Sequence, residues 1–257
     1  SSNTVNIQNN IIGGIDVTGT TSSTASGFIG IDASGTGLFS INNNSVGNDL
    51  PDNIRTGYLL TGANLSNTAV TPTAASGSSA VHGIRSSAVA AALTITNNLV
   101  HGIQVSGTAT AYNGITNSGA VTGTINLNNN QLGNIDAGAV RFMFNNTGVV
   151  TGISNTGATA TTTVNLNNNS IEGISAVSLT SNLTGILSSA NAGVAININN
   201  NNLGSASADF NTYSAATSNT IFGFFNSGGV AARTVISISN NNIRGILHSV
   251  TASGDHR

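Results

Sequence analysis

The chain has 257 residues, of which 39% are hydrophobic and only 5% charged, with no cysteine and a formal net charge of −2. About a quarter of an ordinary soluble domain is charged, so Asn, Ser and Thr must cover this surface. Disorder goes with low hydrophobicity and high net charge, nucleic-acid binding needs a basic stripe, and a membrane span needs roughly 20 consecutive apolar residues. The sequence offers none of these, nor the cysteines of a disulfide framework or thiolate metal site.

One phrase recurs along the chain, clearest as Val164-Asn165-Leu166-Asn167-Asn168-Asn169-Ser170-Ile171-Glu172-Gly173-Ile174. It occurs seven times, anchored at Ile7, Ile41, Ile95, Leu127, Leu166, Ile198 and Ile238, at intervals from 32 to 54 residues. A fixed core with variable spacing predicts stacked rungs joined by loops of free length. Two residues before the anchors every copy is apolar (Val5, Phe39, Leu93, Ile125, Val164, Ile196, Ile236), and the residues on either side of each anchor are polar. Period-two alternation predicts a strand with one buried face.

An asparagine pair comes after each anchor strand. Asparagine tolerates the left-handed conformation of a sharp bend, and inward amides stacked about 4.8 Å apart can bond to the rungs above and below. Continuing the alternation points the first member inward, so Asn9, Asn43, Asn97, Asn129, Asn168, Asn200 and Asn240 are the expected ladder. Spacing alone leaves open which member of each pair is ladder and which is bend. A second strand is expected after the bend, with an apolar residue five past the anchor and Ile15, Ile103, Ile135, Ile174 and Ile246 eight past it. Asp49 and Ala206 break that rule. A third strand reads apolar-x-Gly-Ile/Phe, as in Val81-His82-Gly83-Ile84 and Ile221-Phe222-Gly223-Phe224.

Three short strands per turn and an Asn ladder at one corner describe an all-β parallel β-helix of about seven coils. It forms one unit over 1–257, about 30–35 Å long, with loop excursions at 48–80 and 205–220. The first rung opens directly at Asn3-Thr4-Val5-Asn6-Ile7 with no polar cap of the kind repeat proteins use. The chain therefore reads as part of a longer repeat protein, or as a subunit that associates end to end.

The phrase Ile95-Thr96-Asn97-Asn98-Leu99-Val100-His101-Gly102-Ile103 resembles right-handed parallel β-helix proteins with asparagine ladders. The wider texture, with Thr151-Gly152-Ile153-Ser154-Asn155-Thr156-Gly157, Asn-Asn-Asn bends and almost no charge, resembles the long repeat proteins of Bacteroidota surfaces. That resemblance covers nearly the whole chain. It implies an extracellular or outer-surface location, export by type IX secretion, and a role among attachment and gliding-motility adhesins.

Many parallel β-helix proteins cleave polysaccharides, chemistry that needs clustered carboxylates in one groove. The acids here (Asp16, Asp32, Asp49, Asp52, Asp136, Glu172, Asp209, Asp255) recur at no common register position, so no catalytic residue is assigned and a lyase or hydrolase is the alternative reading. Asp49 and Asp52, in Asn48-Asp49-Leu50-Pro51-Asp52-Asn53, are a weak Ca²⁺ candidate. An Asx-turn around Pro51 explains the same letters better, so no metal or other cofactor is expected. His101 reads as a solvated side chain. The outward Asn126, Asn165 and Asn197, with Asn128, Asn167 and Asn199, form an uncharged ribbon that could touch glycans. The leading expectation is a rigid stalk or adhesive segment. The partners expected are adjacent repeats, a second copy end to end, or surface glycans.

Overall fold

The computed structural model describes residues 3–19, 27–59, 80–230 and 234–248. Among them there is no helix, and 27 strands stack into four sheets in which the strands pair in parallel. Each turn of the chain adds one strand to each sheet in turn, which is the construction of a parallel β-helix. Nearly all tertiary pairing is therefore between a residue and its counterpart one coil away, as in Ile7 with Ile41 or Ile196 with Ile236.

The anchor strands form the first sheet, from Thr4–Gln8 to Val235–Ser239. Their alternation becomes an alternation of burial: in Ala195–Asn199, Ile196 and Ile198 are fully buried while their polar neighbours are half-covered. Burying an aliphatic side chain of this size contributes about 1.5–3 kcal/mol, and the inward apolar residues of all the middle coils join one continuous core.

At the corner after each anchor strand, the first asparagine of the pair adopts a positive φ of 54–59° in all seven coils. The strand beyond it was expected to be single. It is split in two, so each of the first six coils has four strands rather than three. Two residues, such as Ser170–Ile171, form the second sheet. A glycine with positive φ (Gly14, Gly47, Gly102, Gly133, Gly173, Gly204 or Gly245) then turns the chain again before the third sheet begins. The physical reason is that glycine alone takes this conformation freely, so it ends the pairing direction set at the asparagine corner.

The path of the chain beyond that glycine divides the coils into two alternating classes. In the first, third, fifth and seventh, the glycine leads straight into the third sheet, at Ile15, Ile103, Ile174 and Ile246. In the second, fourth and sixth, six residues intervene before Ile54, Val140 and Asn211. All seven residues nevertheless stand in one paired column. This accounts for Asp49 and Ala206, which lie in the loops, and it corrects Ile135. Ile135 is a loop residue 68% exposed, and Val140 fills the core place expected of it.

The loops themselves close on short polar side chains. Asn134 Oδ1 accepts from the backbone N–H groups of Asp136 and Ala137, and Ser205 Oγ accepts in the same way from Ser207 and Ala208. Of the two expected excursions, 48–80 contains the third-sheet strand Ile54–Leu59, and 205–220 contains Asn211–Tyr213. Residues 60–79 lie outside the described residues. The fourth sheet runs from Phe28–Ala33 to Ile221–Asn226 along the repeated apolar-x-Gly phrase. Its glycines face inward where the walls approach closely: a Cβ on Gly83 would lie 2.5 Å from both the Gly114 carbonyl oxygen and Val100 Cγ1.

Candidate functional site

The inner ladder is built by the second asparagine of each pair, which corrects the expected assignment. Asn9, Asn43, Asn97, Asn129, Asn168, Asn200 and Asn240 are the bend residues, and all seven are exposed. Their left-handed backbone interrupts the strict alternation, so the next residue, rather than they, points inward. Asn44, Asn98, Asn130, Asn169 and Asn201 are buried to within 2%. The pattern is uniform: Asn130 Oδ1 accepts from the backbone N–H and the Nδ2 of Asn98, at 3.1 and 3.0 Å. Asn130 Nδ2 donates back to the Ile95 carbonyl at 2.9 Å and onward to Asn169 Oδ1 at 3.2 Å. The same bonds link Asn10 to Asn44, Asn44 to Asn98, Asn169 to Asn201 and Asn201 to Asn241. Each amide inside the stack thus meets its full complement of two donors and two acceptors.

The outward asparagines are tied to one another as well. Asn165 Nδ2 donates to Asn126 Oδ1 and Asn197 Nδ2 to Asn165 Oδ1, each at 2.8 Å. In the neighbouring row the Asn128, Asn167 and Asn199 side-chain oxygens each accept the backbone N–H of the coil above. These six residues form two surface ladders along the axis, so part of their bonding capacity is already used within the wall.

Asp16, Asp32, Asp49 and Asp52 are held by neighbours. Asn48 Oδ1 accepts the Leu50 N–H at 2.8 Å, which is the Asx-turn. Asp52, in the left-handed region with φ 59°, pairs through both carboxylate oxygens with Arg141, 89 residues away in sequence. Asp49 accepts from Asn134 Nδ2 at 2.7 Å, a contact between the loops of the second and fourth coils. No three His, Cys, Asp or Glu side chains converge among the described residues. Asp16 and Arg55 form a buried bidentate pair in the third sheet, with bonds of 2.6 and 2.9 Å. Asp32 and Arg85 form a half-exposed one in the fourth, where the Arg85 guanidinium holds the Asp32 carboxyl below its usual range.

His101, expected to be solvated, is 1% exposed. It lies under the second coil's chain, with Nε2 3.4 Å from Ser45 Oγ and Nδ1 3.6 Å from the Asp49 carboxylate. Burial pushes its pKa down, opposed by Asp49.

Among the described residues, concave places lie on two flanks. One, of about 220 Å³, sits between the alternate loops over the third sheet, against Pro51, Ile103, Val140 and the Asp52–Arg141 pair. The other is an open groove of about 400 Å³ on the outer face of the fourth sheet, in the fourth to sixth coils. Phe222 and Phe225 line it with rings 5.0 Å apart and tilted by 46°, beside Leu187, Val149, Thr151 and Thr184. Along the axis Phe222 stands in one column with Thr184 and Thr151, and Phe225 in another with Leu187 and Ser154.

No family model matches the chain, and no curated protein or solved structure matches it either.

This groove was not anticipated from the sequence. Its signal was available in Ile221-Phe222-Gly223-Phe224-Phe225, where the copies before it carry Ile29, His82, Asn113, Thr151 and Thr184 at the place of Phe222. Shorter inner ladders were missed too. Asn117 Nδ2 donates to Asn155 Oδ1 at 2.8 Å at the end of the fourth sheet, and Asn146 bonds both the N–H and the carbonyl of Thr110.

Proposed function

We propose that the chain is a rigid structural and adhesive segment of a secreted or cell-surface protein, of the kind exported by the type IX system in Bacteroidota. The observation that carries the reading is the amide ladder that runs unbroken from Asn10 to Asn241 beside one continuous apolar core. A wall whose every coil is tied to the next by backbone, amide and apolar contacts resists bending and offers a long flank for contact. The near absence of charge and the amide-rich surface support a role in touching polar, uncharged material. The test is antibody labelling of intact cells of the source organism: surface signal is expected, and protein confined to the cytoplasm would end the reading.

A further inference from the structure

We propose that the groove on the outer face of the fourth sheet binds a neutral polysaccharide chain laid along the axis of the β-helix. The inference deepens the adhesive reading above by naming a site and a ligand class.

The lining combines two kinds of group. Phe222 and Phe225, with Leu187 and Val149, offer apolar surface, and Val149 is 53% and Phe225 39% exposed. The exposed Asn182 amide stands at the rim of the groove, and Thr151 and Thr184, 3% and 7% exposed, lie at its floor. A pyranose ring has this same division, with apolar C–H faces for an aromatic ring and equatorial hydroxyls for amide and hydroxyl partners. Binding sites in general pair an apolar lining with a few placed polar groups.

Charge narrows the class. No lining residue is ionisable. The acid and base on the same face, Asp32 and Arg85, neutralise each other in the first and second coils. An anionic polysaccharide would find no cation to replace its water, whereas a neutral one gives up little on entry.

Periodicity gives the direction. The column Phe222, Thr184, Thr151 repeats at the strand spacing of about 4.8 Å, which is close to the length of one sugar unit in an extended chain. A chain along the axis would set one unit against the Phe pair and the next two over the groove floor at Thr184 and Thr151, within reach of Asn182. The outward face of the first sheet offers no comparable platform: it presents Asn126, Asn165 and Asn197, already bonded to one another.

The test is affinity electrophoresis and calorimetry of the whole chain with galactomannan, xyloglucan and laminarin, beside alginate and polygalacturonate. Retention by at least one neutral polysaccharide is expected, with none by the two anionic ones. Phe222→Ala with Phe225→Ala should weaken binding at least tenfold, Thr184→Val severalfold, and Phe225→Tyr should keep it. Should the double variant melt early, Val149→Arg at an exposed position blocks the groove without touching the core and should abolish retention. Failure to bind any neutral polysaccharide, equal binding of the anionic ones, or binding unchanged in the Phe and Val149 variants would each overturn the assignment. So would variants that alter only self-association, since the groove would then be a contact between copies. Because the measurement uses purified protein, it succeeds or fails independently of the surface labelling that tests the adhesive reading.

Discussion

The same residue type lines the inside and the outside of one wall. Asn98, Asn130, Asn169 and Asn201 stack within the coil, and Asn126, Asn165 and Asn197 stack on its surface, both bonded coil to coil along the axis. The bonds have similar lengths, but the alternatives differ. An outer amide that loses its partner turns to water and exchanges one hydrogen bond for another at little net cost. An inner amide that loses its partner has no water and bears the full desolvation penalty, about 1–3 kcal/mol per group. Burial, not the bond itself, makes one ladder structural and the other a covering. Asn211 is a third case: fully buried, yet with neither amide atom bonded.

The largest effect should come from cutting the inner ladder. Asn169→Leu leaves the Asn130 backbone N–H and Nδ2 without their acceptor and the Leu127 carbonyl without its donor. With several groups stranded at once, the loss should reach about 3 kcal/mol or more, read as a fall in chemical-denaturation stability. A loss under about 1 kcal/mol would mean that the wall relaxes enough to let water in, and the contrast between the two ladders would fail.

Asn211 sharpens the comparison in the opposite direction. It stands in the third-sheet column otherwise filled by Ile15, Ile54, Ile103, Val140, Ile174 and Ile246. Asn211→Ile should remove two unsatisfied groups and raise stability by about 1–3 kcal/mol. A destabilised variant would show that the amide has a partner role the apolar column cannot replace.

The bend asparagines come next. Asn168 is exposed and holds φ at 58°, so its side chain carries little while its backbone conformation carries much. Asn168→Gly should change stability by only a few tenths of a kcal/mol, and Asn168→Val should cost about 1–2 kcal/mol, because a β-branched residue resists the left-handed region. Equal melting temperatures for the two variants would show that the corner does not depend on that conformation.

These residues also mark how far the sequence could be read. Alternation around the anchors located the strands of the first sheet and their inward face, because period-two burial is a local property of an extended chain. It failed one residue later. A single left-handed residue re-aims the chain, and nothing in Asn-Asn says which member takes it. The four-strand coil went unread because the two-residue strands are too short to alternate. The two coil classes were legible in principle: the turning glycine lies seven past the anchor at Gly102 and Gly173 but six past it at Gly133 and Gly204, and Ile95 to Leu166 and Leu127 to Ile198 both span 71 residues. Missing that alternation made Ile135 a core residue. The Asp52–Arg141 pair and the burial of His101 were not legible at all, since both arise from a loop of one coil lying over another.

The smallest effect belongs to the outer rows. Asn167 is half-covered, and its Oδ1 accepts the Asn199 N–H at 2.9 Å while its own N–H donates to Asn128 Oδ1 at 2.8 Å. In Asn167→Thr the second of these bonds survives, since it uses the backbone. The Asn199 N–H loses its acceptor but stands on a wetted surface and can bond to solvent, and threonine suits a strand position. The change should stay within about 0.5 kcal/mol of neutral, measured by urea denaturation beside Asn169→Leu in the same buffer. A loss comparable to that of Asn169→Leu would mean that the outer row is sealed from water, and the wall would then have two structural ladders rather than one.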